Sequence, residues 1–341
     1  MIRVTGIGVV SALGRDVADL GCKRALMAAT GAFAYSEIGE TPFFQGTLEE
    51  DEVRDGFALG LDAAWAALDD AEISPAEVPV SLVLATGAGD TRALEADTEA
   101  PARPYDLARQ MADAMGLTGV VLTVATACSS SSYAASLARD LLAQGAGHVL
   151  LCGVESKSDS SQYTFKSLMA LDPAGCFPFT ERRNGTVLGA GAAALLLTDT
   201  PQGNKRTYAR LSGISLTCDG YHDTAPEPEG RAVRRGVDQA LAQGGHQHAE
   251  IDLFVPHATG TKLNDAIEAR LLDTLFGDDA RGRMVLLKGD IGHTCGASSA
   301  FSMAVAAKAL HEGGARAALI GASAFGGNNA AVVMSRAEGA I

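Results

Sequence analysis

Setting Cys128 against Gly296, and holding that offset of 168 residues, brings two stretches of the chain into register. Ser130 and Ser131 then meet Ser298 and Ser299, Leu142 meets Leu310, Gly145 meets Gly313, Leu151 meets Leu319, and Gly153 meets Gly321. Each copy reads as a small-residue start, an apolar helix, a glycine stop and a buried strand. An internal repeat of this kind predicts a duplicated unit whose two copies form one pseudo-symmetric body. Both helices are rich in Ala and Ser and poor in charge, so they are expected to lie buried between two sheets.

The rest of the chain alternates strand and helix patterns. Strands are expected at Ile2–Val10, Val80–Thr86, Val120–Val124, His148–Gly153, Gly191–Thr198, Tyr208–Thr217, Ile251–Val255, Met284–Leu287, Ala317–Gly321 and Ala330–Met334. Helices are expected at Asp16–Ala29, Val53–Ala71, Tyr105–Met115, from Cys128 to a stop at Gly145, then Gly230–Ala242, Asn264–Phe276 and Ala297–Leu310. Thr30–Glu50 reads as loop with a short strand, and Asp90–Pro104 as surface loop. Ser156–Asn184 is a long irregular segment, a length that usually signals function. The polar link Thr200–Arg206 divides the chain into halves of 1–200 and 201–341.

Cys128 sits where a strand gives way to the first turn of a helix. Free N–H groups and the positive end of the helix dipole favour an anion there. A thiol so placed ionises more readily than a free cysteine at about pKa 8.5, which makes Cys128 a candidate nucleophile. The other cysteines, Cys22, Cys152, Cys176, Cys218 and Cys295, are scattered without C-x-x-C spacing and read as packing thiols in a reducing cytoplasm. Cys295, two residues from His293, is read the same way, so no metal site is expected. The net charge of −14 argues against general nucleic-acid binding. The apolar N-terminus reads as a first strand and not as a signal segment, and no run is long enough for a membrane span.

Three loops of the second half follow strands, where ligands meet open α/β sheets. They are Pro256-His257-Ala-Thr259-Gly-Thr261 with Asn264, Asp265 and Glu268; Lys288 with His293; and Ala324-Phe325-Gly-Gly-Asn328. A thiolate with two histidines suits acyl transfer followed by carbon–carbon bond formation. On these motifs, with Val4-Thr-Gly-Ile-Gly at the start, Thr126-Ala-Cys128-Ser, Phe177-Pro-Phe179 and Arg183-Asn-Gly185, the chain resembles the β-ketoacyl-[acyl-carrier-protein] synthases, condensing enzymes of the thiolase fold.

The resemblance implies a five-layered α-β-α-β-α body made of two pseudo-symmetric α/β halves, each with a five-stranded mixed sheet. It implies decarboxylative Claisen condensation, with Cys128 holding the acyl chain and His257 and His293 acting on a malonyl thioester. Lys288, paired with Glu268, would stand behind the histidines. Thr259 and Thr261 would face the phosphopantetheine arm, and Phe325 would gate the acyl pocket. The N–H groups of Cys128 and Phe325 would form an oxyanion hole. No metal or nucleotide cofactor is implied. The implied partners are acyl carrier protein and either a second copy or a ketosynthase-like subunit. Lys205-Arg206, Arg231 with Arg234-Arg235, and Arg281 with Arg283 are candidate carrier-docking patches. The alternatives are a non-elongating acyltransferase on the same scaffold and a non-catalytic partner subunit. The chain departs from the family pattern at Thr180, Asn184, Ala190 and Ala258, the last standing where glycine is usual.

Overall fold

A computed structural model describes residues 1–20, 33–35, 42–89, 95, 103, 105–199 and 206–337. Its large sheet contains β1 (Arg3–Ser11), β2 (Ser81–Ala85), β3 (Val121–Val124), β4 (His148–Glu155), β5 (Gly191–Thr198), β6 (Ala209–Cys218), β7 (Leu253–Val255), β8 (Ala317–Ser323) and β9 (Asn328–Ser335). The spatial order is β7-β8-β9-β6-β1-β5-β4-β2-β3. The β6–β1 junction is narrow, resting on Arg3 opposite Arg210 and Val4 opposite Ala209.

Outward from that junction the two sides repeat one plan. From β1 the pairings are antiparallel to β5, antiparallel to β4, then parallel to β2 and β3. From β6 they are antiparallel to β9, antiparallel to β8, parallel to β7, then a parallel bridge from Phe254 to Met284. The strand expected at Met284–Leu287 is therefore reduced to one bridge. Leu287 already caps the short helix Lys288–Ile291, so the ladder stops at the Met284 bridge, and among the described residues the second half has four strands instead of five.

Among the described residues there are seven longer helices: α1 (Gly56–Asp70), α2 (Asp106–Met115), α3 (Ser130–Ala143), α4 (Asp159–Ser167), α5 (Arg231–Gly244), α6 (Lys262–Phe276) and α7 (Ser298–His311). Both ends of α3 and α7 keep the 168-residue offset, as do the 3-10 turns that precede them, Ala127–Ser129 and Cys295–Ala297. These two helices touch strands on both sides of the sheet junction, while α1 packs on β1 and β5, and α5 on β6 and β9. The layers run helix, sheet, helix, sheet, helix, as expected.

The central layer is apolar because its sequence is. Every residue of α7 from Ser298 to Ala307 is buried, and small side chains let the helices approach the sheets. A Cβ on Gly153 of β4 would lie 2.9 Å from both Ala297 Cα and Ala300 Cβ. Period-two alternation divides β5 between two cores. Ala193, Leu195 and Leu197 face the central helices, and Ala192, Ala194 and Leu196 face the α1 side.

Other expectations shift locally. The helix expected over Val53–Ala71 is two, Glu50–Arg54 and α1. Asp55 interrupts it and caps the second piece, accepting from the Ala58 N–H at 3.0 Å. The irregular segment Ser156–Asn184 contains α4, capped by Ser158, whose hydroxyl accepts from the Ser161 N–H; its polar composition conceals the helical period. Within Thr30–Glu50, Phe33–Tyr35 pairs with Pro42–Phe44, which in turn pairs with Leu188–Gly189. The start of the helix expected at Asp16–Ala29 is a 3-10 turn, Val17–Leu20. The rest of that helix, Cys22, Lys205 and most of Asp90–Pro104 lie outside the described residues.

Phe301, among the largest fully buried side chains, is packed in the central layer. Phe301→Ala is expected to cost about 3–5 kcal/mol, measured as a lower midpoint in urea unfolding.

Candidate active site

Strand β3 ends at Val124, and the chain turns sharply through Ala127, whose φ of 50° lies in the left-handed region. Cys128 follows in the 3-10 turn that leads into α3. The elbow is pinned by Ser130, whose hydroxyl accepts from the Thr126 N–H at 2.9 Å and donates to the Thr86 carbonyl at 2.8 Å. Cys128 is 5% exposed, at the floor of a cavity of about 90 Å³ that His257, His293, Thr259, Thr261 and Phe325 also line.

His293 reaches the sulfur from the loop ahead of α7. Its Nε2 lies 3.1 Å from Cys128 Sγ, and its Nδ1 lies 3.1 Å from Ser298 Oγ. The Ser298 contact orients the ring, and the sequence offered no sign of it beyond the internal repeat. His257 comes from the loop after β7, with its ring centroid 5.5 Å from that of His293. The loop is clamped by α6. Glu268 accepts from the N–H groups of His257 at 2.6 Å and Ala258 at 2.7 Å, and from Asn264 Nδ2 at 2.8 Å. Asp265 accepts from Gly260 N–H at 3.1 Å and Phe179 N–H at 2.8 Å. Ala258 has a φ of 50°, a conformation a glycine adopts without strain.

Lys288 stands behind His257 but does not pair directly with Glu268, as the resemblance implied. Its ammonium donates to the His257 carbonyl, while Glu268 takes the N–H of the same residue. The two charges act on His257 through opposite ends of its backbone. Thr259 and Thr261 bond to each other through their hydroxyls at 2.9 Å. Phe325 lies 5.5 Å from the Phe165 ring, which is 6.1 Å from His293. Phe165 belongs to α4, so this aromatic wall went unnoticed in the sequence. Among the described residues the N–H groups of Cys128 and Phe325 have no hydrogen-bond acceptor.

Two buried groups were not expected here. Cys295 was read as packing, yet the ligand atoms of Cys128, His293 and Cys295 all lie within 4.8 Å of one another. Glu155, at the end of β4, accepts from Gly87 N–H at 2.7 Å and Gly296 N–H at 2.8 Å. A carboxylate closing an otherwise apolar strand was the available signal. Cys218, read as a packing thiol, is exposed at the C-terminal end of β6, where it pairs with Asn328.

The electrostatics follow from burial and neighbours. The Cys128 thiol is held well below its ordinary range, first by the Cys295 thiol and then by His293 and Lys288, against the effect of burial. Burial, aided by Lys288 and His293, pushes His257 well below the usual imidazole value, so it is neutral. Burial lowers Lys288, with Glu268 and Cys128 opposing it. Burial raises Glu268 to about 7 and Glu155 to about 8, and raises Cys152 to about 12 and Cys176 to about 11. One buried thiol is thus activated while its neighbours in the fold stay protonated. None of Arg206, Arg231, Arg234, Arg235, Arg281 and Arg283 lines the cavity.

Reactivity of Cys128 requires its thiolate and is lost as pH falls through its folded pKa. Lys288→Met removes a cation that favours the thiolate, so the midpoint of iodoacetamide alkylation at Cys128 is expected to move to higher pH. Peptide mass spectrometry should find Cys152 and Cys176 unlabelled at pH 7. Glu155 keeps its proton from about 4.5 up to about 8 in the folded state, whereas the unfolded chain releases it near 4.5. Stability from this group therefore falls as pH rises through that window. Glu155→Gln should flatten the decline, read from urea midpoints between pH 5 and 8.

The profile of the "Beta-ketoacyl synthase, N-terminal domain" matches residues 31–202, and that of the "Beta-ketoacyl synthase, C-terminal domain" matches residues 208–319. Nodulation protein E of Rhizobium meliloti (strain 1021) is 33% identical over 234 residues, 66% of this chain and 57% of the relative. The 3-oxoacyl-[acyl-carrier-protein] synthase 2 of Mycobacterium tuberculosis (strain ATCC 25618 / H37Rv) is 31% identical over 204 residues, 56% of this chain and 49% of the relative. The chain thus spans about half the length of the curated relatives it matches. Among solved structures, the ishigamide ketosynthase/chain length factor superposes with a TM-score of 0.84 at 23% identity, covering 98% of this chain and 99% of that one. That likeness carries the fold, which is of the thiolase type.

Proposed function

The chain belongs to the beta-ketoacyl synthase family, and from that premise we propose that it performs decarboxylative Claisen condensation on acyl-carrier thioesters, in fatty acid, polyketide or polyene-type biosynthesis. The observation that carries this reading is the 3.1 Å approach of His293 Nε2 to Cys128 Sγ beside a neutral His257. In the first half-reaction the Cys128 thiolate attacks the acyl thioester carbonyl. The tetrahedral intermediate expels the phosphopantetheine thiolate, which takes up a proton, and the acyl group stays on sulfur.

In the second, a malonyl thioester directs its carbonyl oxygen at the two imidazoles. Cleavage of its carboxylate bond releases carbon dioxide and leaves the electron pair as an enolate, stabilised by those donors. The enolate carbon attacks the acyl-enzyme. The developing oxyanion falls to the N–H groups of Cys128 and Phe325, which have no acceptor among the described residues. Collapse expels the Cys128 thiolate and yields a 3-oxoacyl thioester. This chemistry needs no metal or nucleotide, because the departing carbon dioxide drives it and the protein supplies nucleophile, donors and orientation.

Lys288 and Glu268 are positioning residues that hold His257 from its carbonyl and N–H ends. Thr259 and Thr261 face the thioester arm, and Phe325 gates the acyl side of the cavity. Residues 1–200 supply the nucleophile and 201–341 the histidines. Acyl carrier protein is the proposed substrate carrier, as the name of the Mycobacterium relative supports. A dimer is the proposed assembly, and the ketosynthase/chain length factor likeness favours a second ketosynthase-like subunit. The scattered cysteines favour a cytoplasmic setting.

The test is intact-mass analysis after incubation with a panel of acyl-carrier thioesters, followed by release of labelled carbon dioxide from malonyl-carrier. Wild type should gain an acyl adduct on Cys128 and release carbon dioxide. Cys128→Ala should lose the adduct, and His293→Ala should slow condensation by at least about 100-fold, the scale of an oxyanion donor. An adduct with no carbon dioxide release from any primer would instead indicate a non-elongating acyltransferase.

A further inference from the structure

The duplication that creates the elbow at Cys128 creates a second one at Cys295. Ala127 and Cys295 occupy equivalent places 168 residues apart, and both take left-handed backbone, with φ of 50° and 33°. The two elbows meet across the centre of the molecule, where the Ser131 hydroxyl donates to the Gly296 carbonyl. A second thiol is therefore carried to the nucleophile by the fold itself. His293 stands at the same point, two residues ahead of Cys295.

We propose that Cys128, Cys295 and His293 form a site for a thiophilic divalent cation, Zn²⁺, whose binding takes the nucleophile out of use. Two sulfurs and an imidazole nitrogen are a soft donor set suited to zinc. A tetrahedral ion with Zn–S of about 2.3 Å and Zn–N of about 2.0–2.1 Å sets its donors about 3.5–3.8 Å apart. The three donor atoms already lie within 4.8 Å of one another, and His293 Nε2 is 3.1 Å from Cys128 Sγ. Small side-chain rotations close that geometry.

Three further features fit such a site. All three residues are buried, so the ion is screened from bulk solvent on the sides its protein donors occupy. Ser298 Oγ holds Nδ1 of His293 at 3.1 Å, the outer-shell contact that directs the other ring nitrogen at a metal. Cys128 and His293 also line the cavity, which leaves the fourth position of the ion open to water. Cys128 already favours the thiolate, so binding releases the Cys295 proton to solvent and gives an electrically neutral cluster of two thiolates and one divalent cation, with no change of oxidation state. The site stands whether or not the condensation chemistry does, because it is defined by the ion and not by an acyl substrate.

The experiment uses the full chain, reduced and stripped of metal with a chelator. Titration with Co²⁺ is expected to give thiolate charge-transfer absorption and tetrahedral d–d bands at one ion per chain, displaced by Zn²⁺. In the wild-type protein Zn²⁺ should protect Cys128 from iodoacetamide, and EDTA should restore labelling, as read by peptide mass spectrometry. Cys295→Ser should weaken binding by more than the roughly 10–100-fold typical of losing an outer-shell partner. If that variant does not fold, as judged by circular dichroism, the protection measurement in wild type decides alone. Absence of thiolate bands, unprotected Cys128, or unchanged affinity in a folded Cys295→Ser would each overturn the proposal.

Discussion

The hydroxyl of Ser131 donates to the carbonyl of Gly296, and this contact joins the starts of the two helices on which everything else is arranged. It is possible only because the elbows approach backbone to backbone. A Cβ on Gly296 would lie 2.2 Å from the Thr86 carbonyl carbon and the Gly87 nitrogen. Glu155 draws the same point together from below, taking the N–H groups of Gly87 and Gly296 on one carboxyl oxygen. The ends of β2 and β4 and the starts of α3 and α7 are thereby fixed to one another. The nucleophile of the first half meets the histidine of the second at a distance set by the core and not by flexible loops, and such placement on rigid elements is what preorganised chemistry requires.

The duplicated frame explains why strain collects here. Left-handed backbone at a residue with a side chain costs about 1–2 kcal/mol, and Ala127, Ala258 and Cys295 all adopt it. Each is held by neighbours that over-determine the conformation. Ser130 bonds on both sides of the Cys128 elbow, and Glu268 grips two consecutive N–H groups at Ala258. The family's usual glycine at position 258 fits the same geometry without strain. Here the clamp from α6 keeps the loop in place with an alanine. The effect of Thr180, Asn184 and Ala190 on the site is not explained by any contact in the structure.

The charges of the site depend on one another in a buried space. Lys288 favours the thiolate of Cys128 and disfavours a proton on His257, so one ammonium supports both a nucleophile and a neutral hydrogen-bonding imidazole. Lys288 itself is partly stabilised by Glu268 and Cys128. Removing any one of these groups alters the others, because low polarity strengthens each interaction and makes each unpaired charge expensive.

Much of this was legible in the sequence. The offset that pairs Cys128 with Gly296 predicted a duplicated unit with two central helices buried between sheets. Cys128 was named from its place at a helix start, His257 and His293 from loops after strands, and Thr259, Thr261 and Phe325 from the family resemblance; all six line one cavity. Local pattern could not reveal that Lys288 meets a carbonyl instead of Glu268, that Asp55 divides a helix, or that α4 lies hidden in a polar segment. Nor could it turn Cys295 from packing residue to neighbour of the nucleophile. Periodicity and turn chemistry act over a few residues and determine elements and their faces. Which side chains from Phe165, Glu155, Cys295 and Ser298 converge on Cys128 is decided by the pseudo-twofold meeting of two elbows 168 residues apart, a long-range contact that only close packing of the central helices brings about.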